Sequence, residues 1–190
     1  LHDCLPDAWR VIVVDNGSSL RPDDVESVDS RFKLVPNANS GGAGGFTRGM
    51  LEALADPAGF DYALLMDDDV VIAPHAIERT NALLSVLRPE HQRSFVSGAM
   101  LRLEQPTVQH EATATWNGWR VRHVHGDLDL RSREAVARAA RDRSLPHRYA
   151  AWWYCAIPLG PEMEHDRPIP VFLNGDDIEY SLRRAHDIIH

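Results

Sequence analysis

The first half of the chain alternates two kinds of segment, and that alternation limits the folds open to it. "WRVIVVD" is a short β-branched run ending in "NGSS", and "RFKLVP" is a second one running into the Asn- and Gly-rich "NANSGGAGG". Runs of this kind, closed by turn residues, read as buried strands entering loops. "FTRGMLEALA" (46–55) then carries apolar residues at helical spacing, "FDYALLM" returns to strand, and "PHAIERTNALLSVLR" opens with proline and continues amphipathically. Strand and helix in alternation predict an α/β fold, with a mostly parallel central sheet and helices packed on it.

Beyond "SFVSGAMLRL" the pattern loosens. Residues 105–130 read as a small irregular or antiparallel insertion, "SREAVARAARDR" as an exposed charged helix and "YAAWWYCAIPL" as a strand. "NGDDIEYSLRRAH" begins with capping residues and predicts a helix. A length of 190 residues with 44% hydrophobic content fits a single domain with one core. Twenty basic against 28 acidic residues give a net charge of -8, which argues against broad contact with nucleic acid. Cys4 and Cys155 stand far apart without a CxxC pair, so a reducing, cytoplasmic setting is expected. No apolar run is long enough to span a bilayer, which leaves docking at a membrane surface open.

"LLMDDDVVI" (64–72) places Asp67, Asp68 and Asp69 between two apolar runs. Something must offset their mutual repulsion. If the strand continues, side chains two apart share a face, so Asp67 and Asp69 converge while Asp68 turns away. Ligands of open parallel sheets bind beyond the carboxyl ends of the strands, and two carboxylates there suit magnesium or manganese completed by water and substrate phosphate. An isolated acidic triplet reads more readily as a solvated turn; its position after an apolar strand reverses that preference in favour of the cation site.

The upstream loops supply candidate nucleotide contacts. Asp15 closes the first strand, Asn39 lies in the second loop, and Arg48 follows the glycines, which allow close backbone approach ahead of a helix N-terminus suited to an anion. The glycines match neither a P-loop nor GxGxxG with its downstream acid, so ATPase and dehydrogenase readings lose ground. His123 and His125 are two apart, and "HEATA" at His110 lacks the second histidine of HExxH, so neither makes a metal motif.

"VVDNGSS", "N-x-GGAGGFTRG" and a strand ending in "MDDD" together resemble inverting glycosyltransferases of the GT-A fold. "WWYCAIP" followed by "PIPVFLNGDDIEYSLR" is similar to the bacterial galactofuranosyltransferases of galactan synthesis, and the match covers most of the chain. The resemblance implies a UDP-galactofuranose donor, a glycan or glycolipid acceptor, manganese or magnesium, and work at the inner face of the cell membrane. It makes Asp67 and Asp69 the metal- and UDP-holding DxD pair beside Asp68, and Asp15 and Asn39 nucleotide contacts. It makes Trp152 and Trp153 the acceptor-lining pair, Asp177 the base and Asp176 its neighbour near the acceptor sugar. Residues 1–190 would then be one catalytic domain, with a nucleotide-sugar-binding half at 1–100 and an acceptor-binding half at 101–190.

The chemistry agrees with these roles, because inversion needs a carboxylate to accept the proton of the attacking hydroxyl. Local alternatives stand beside them. Asp176 with Glu179 three residues on fits a capping box, Asp177 complements a helix dipole, and adjacent strand tryptophans would face opposite sides, leaving one in the core. Relative to the family, the expected GT-A strand before "VVDNGSS" is missing. So is a later strand ending in a metal-binding histidine, for which His190 lies too near Asp177. A catalytically inactive nucleotide-sugar or glycan-binding module is therefore the competing expectation, with a rhamnosyltransferase-like donor preference as a variant. A dehalogenase-type phosphatase would place its aspartate motif on its first strand, whereas two strands precede "MDDD" here.

Overall fold

The computed structural model describes residues 5–73, 75–112, 114–141 and 145–190. Cys4, the helix-opening Pro74 and positions 142–143 of the charged helical stretch lie outside the described residues. In chain order the elements are β1 (Val11–Asp15), α1 (Pro22–Val25), β2 (Phe32–Pro36), α2 (Gly41–Leu54), β3 (Tyr62–Met66), α3 (His75–Val86), β4 (Phe95–Ser97) and β5 (Met100–Leu101). They continue with β6 (Val108–Glu111), β7 (Ala114–Trp116), β8 (Val121–His123), β9 (Leu128–Asp129), α4 (Arg133–Ala139), β10 (Arg148–Tyr149), β11 (Tyr154–Pro158), α5 (Asp176–Arg184) and β12 (Ile188–Ile189). The expected α/β class is found, with its strands in several sheets rather than one mostly parallel sheet. Among the described residues no helix is long and apolar enough to cross a membrane.

The contacts divide into two units with interleaved segments. The first comprises Leu1–Ala63, Ile72–Gln92 and Leu159–Asp176. Here β1 and β2 pair in parallel, Val11 opposite Phe32 through Asp15 opposite Pro36. The β-branched residues of both strands suit this pleated surface, and Leu34 and Val35 are buried in it. Helix α2 packs on β1 and buries Ala43, Met50 and Ala53, which removes apolar surface from water at about 25 cal/mol per Å². Helix α3 buries Ile77, and the Trp9 indole donates to the Asn81 side chain at 2.8 Å.

One expectation is corrected in this unit. "GGAGG" is not a loop before a helix but the first turns of α2 itself. Propensity argues against a glycine-rich start, yet close packing demands it. Gly41 has φ +72, and a Cβ there would lie 2.7 Å from the Phe172 Cα and nearer still to its carbonyl oxygen. A Cβ on Gly45 would lie 2.7 Å from the Asn16 amide nitrogen. Glycine is selected here by neighbours far away in sequence.

The second unit comprises Leu64–Val71, Arg93–Pro158 and Asp177–His190. Its four-stranded sheet has the order β12-β4-β11-β3, with β4 and β11 antiparallel and β12 parallel to β4. Cys155, Ala156 and Ile157 of β11 are almost wholly buried, as a central strand requires. The expected insertion is realised as two antiparallel sheets, β5-β6-β9 and β10-β7-β8. Helix α4 begins after Ser132, whose hydroxyl accepts the Ala135 N–H as an N-cap. On α5, Tyr180 packs against Phe95 with ring centres 6.0 Å apart, and Ser181 bonds the backbone of Ala150.

Candidate active site residues

In the first unit, the polar groups after β1 and β2 are tied into one network. The Asp15 carboxylate is buried and accepts the N–H groups of Gly17 at 3.0 Å and Leu20 at 2.8 Å, with the Ser19 hydroxyl at 3.4 Å. The Leu20 N–H is the main reason its pKa lies below the usual aspartate value. Asp15, expected at the nucleotide, thus holds its own loop in shape. The Asn37 side chain donates to the Asn16 oxygen at 2.8 Å and to the Ser40 hydroxyl at 3.1 Å, and Asn16 in turn donates to the Gly41 carbonyl at 3.2 Å.

Asn39 accepts the Gly41 N–H at 3.2 Å, which places it at the entry of α2. Arg48, expected at ribose or phosphate, is exposed on α2 and pairs with Glu52 at 2.7 Å, a carboxylate shared with Lys33. The Asp176 carboxylate stands near the same helix start, where a Cβ on Gly42 would meet it at 3.5 Å. Asn37 and Ser40 escaped the sequence reading. The asparagines of "NANS" ahead of a helix were the signal available.

In the second unit, β3 stops at Met66, so Asp67, Asp68 and Asp69 lie beyond the strand, with Asp68 and Asp69 in a turn. The alternation argument therefore fails. All three are exposed, and Asp68 is not set apart by pleating. Three like charges in a row explain the break, because water solvates them better than a strand interior does. Among the described residues no three His, Cys, Asp or Glu side chains gather to hold a metal on their own. The donor chemistry of Asp67 and Asp69 nonetheless fits a hard divalent cation, since magnesium binds through one or two carboxylates plus water and substrate phosphate.

Trp152 and Trp153 also lie outside a strand, in the turn before β11. Trp152 is 3% exposed and meets the Tyr180 ring edge-on at 5.9 Å. Its ring belongs to the core and presents no open face to a sugar, which corrects the paired-platform expectation. Trp153 is half-buried, packs on the cluster of Ala114, Tyr149 and Ala151, and donates to the Gly98 carbonyl at 3.4 Å.

Helix α5 opens at Asp176, one residue earlier than an N-cap role for Asp176 requires, after Gly175 with φ +99. Glu179, the expected capping-box partner, forms an ion pair with Arg183. Asp177 sits in the first turn, half-buried, and accepts the Ile178 N–H at 2.7 Å. Its charge adds to burial in raising the Tyr149 hydroxyl and the Cys155 thiol.

A further pair was missed. Glu111 on β6 is 3% exposed and holds His123 of β8, whose ring centre is 5.9 Å from that of His110. Burial raises the Glu111 carboxyl above its ordinary range, against the attraction of His123 and His110. The sequence offered a broken zinc motif at residues 110–111, but a pair formed between distant strands leaves no local spacing to read.

Two curated relatives share the chain's pattern. Galactofuranosyltransferase GlfT2 of Mycobacterium tuberculosis is 31% identical over 167 residues, covering 82% of this chain and 25% of that protein. Galactofuranosyltransferase GlfT2 of Mycolicibacterium smegmatis is 31% identical over 189 residues, covering 91% of this chain and 29% of that protein. The chain thus spans less than a third of the length of these relatives. The family model described as glycosyltransferase-like family 2 matches residues 9–183, and the chain belongs to that family.

Proposed function

We propose that the chain carries the donor and acceptor chemistry of an inverting galactofuranosyltransferase, moving the sugar of a UDP-sugar to a hydroxyl of a glycan or glycolipid acceptor. The observation that carries this reading is the open carboxylate turn directly after β3, in a chain 31% identical to two galactofuranosyltransferases over most of its length. Solvent-facing carboxylates at a strand's carboxyl end are placed to meet a ligand rather than to build a core.

Asp67 and Asp69 hold the divalent cation, manganese or magnesium, that accompanies UDP. When bound, that cation offsets the negative charge growing on the departing diphosphate. Asn39 and the N-terminus of α2 orient the nucleotide through oxygen and N–H groups. The acceptor hydroxyl oxygen forms the new bond to the anomeric carbon as the bond to UDP breaks. The hydroxyl proton passes to the Asp177 carboxylate. Asp177 is half-buried in the first turn of α5. Trp153 supports the acceptor sugar, and Asp176 stands beside the base.

Calorimetry of UDP binding tests the reading. Affinity should fall on chelation and be restored by manganese or magnesium; equal affinity in both conditions sinks the cation role. Turnover of UDP-galactofuranose on a galactan oligosaccharide tests the rest. UDP binding with no transfer to any acceptor would leave an inactive nucleotide-sugar-binding module.

A further inference from the structure

The loop between β7 and β8 carries Trp119 at its tip, 89% exposed, and Val121 beside it at 36% exposed. The Asn117 side chain accepts the N–H groups of Trp119 at 3.1 Å and Arg120 at 2.9 Å, and Gly118 has φ +93, so the tip has a defined turn. A large aromatic ring this open forgoes the stabilisation that burial would give it.

The surrounding charge says what would cover it. Arg120 and Arg122 are both exposed, and neither has an ion-pair partner among the described residues. From Trp116 through His125, "WNGWRVRHVH" contains no acidic residue, although the chain carries 28 and a net charge of -8. The hairpin is thus a local cationic projection on an acidic protein. Tryptophan favours the boundary of water and hydrocarbon, with its apolar face inward and its N–H toward water, while arginines beside it attract anionic headgroups. A neutral glycan would stack on the ring but has no use for two uncompensated guanidinium groups. An acidic protein would pair with the arginines, yet a single ring on a narrow tip provides little area for a stable interface.

We propose that the β7–β8 hairpin docks the chain on an anionic phospholipid surface, with Trp119 entering the headgroup boundary and Arg120 and Arg122 meeting lipid phosphates. This surface does not depend on the transfer chemistry. Its test uses no nucleotide, so failure here and failure of UDP binding are separable.

The test is sedimentation of the chain with phosphatidylcholine vesicles, with and without phosphatidylglycerol. The wild type should sediment with the anionic vesicles alone, and added salt should release it. Arg120→Glu combined with Arg122→Glu should weaken partitioning by roughly tenfold or more, and Trp119→Ala by several-fold, with unchanged circular dichroism. Brominated lipid should quench part of the wild-type tryptophan fluorescence, and Trp119→Phe should remove that part. Equal binding to neutral vesicles, no vesicle binding, or unaltered binding of the Trp119→Ala protein would overturn the proposal. Quenching by galactan oligosaccharide that needs Trp119, without vesicle binding, would reassign the tip to carbohydrate.

Discussion

Asp15 and the triplet Asp67, Asp68 and Asp69 have the same chemistry and follow strands of similar character, yet their fates differ. Asp15 is 7% exposed and accepts hydrogen bonds from its own loop. The triplet is exposed at a turn beyond β3. An acid that closes a loop shapes a site, whereas exposed acids at a strand's carboxyl end are placed to meet a ligand. The two tryptophans of "WW" repeat the lesson: Trp152 is core, and Trp153 keeps partial exposure.

The most forceful way to break this comparison is through Asp177. Asp177→Asn should lower the rate of transfer by about 10²–10⁴-fold, the usual reach of a positioned base, while UDP binding by calorimetry stays unchanged. Loss of UDP binding in that variant would make Asp177 a donor-site residue instead.

Trp152→Ala should come next, lowering stability by about 3–5 kcal/mol in denaturant unfolding, as for other buried aromatics. A mild effect there, with loss of acceptor affinity, would return Trp152 to the acceptor. Gly41→Ala should destabilise by roughly 1–3 kcal/mol, because the added Cβ meets the Phe172 backbone at positive φ. Asp67→Ala should change stability by no more than about 0.5 kcal/mol in the same assay, while removing the chelator sensitivity of UDP binding.

The smallest effect is in pH. The folded-state pKa of Asp15 lies below its ordinary value of 3.8, so its contribution to stability is present above 3.8 and is lost as pH falls through the folded value. Asp15→Asn should therefore flatten the acid limb of the unfolding midpoint against pH. An unaltered limb would mean that the loop bonds do not favour the ionised form.

Much of the fold was legible because its signals are local. Apolar runs closed by turn residues marked β1, β2 and β3, and the amphipathic spacing of 46–55 and 74–88 marked α2 and α3. The start of α2 was not legible, since the four glycines of "GGAGG" read as a loop until Phe172 and Asn16 are brought against them. The end of β3 was hidden for a related reason. Alternation predicts side-chain direction only while the strand lasts, and the charges that draw attention to the triplet are those that end it. Glu111 and His123 meet from strands of two different sheets, which no spacing along the chain records.

By itself, then, the sequence determined the α/β class, the family pattern and which residue types stand at the strand ends, because these follow from local periodicity and composition. Tertiary structure alone decided which carboxylates are buried and which are exposed, which tryptophan is core, and that Trp119 with Arg120 and Arg122 projects from a hairpin. Burial and pairing depend on neighbours distant in the chain, and a one-dimensional pattern carries no record of them.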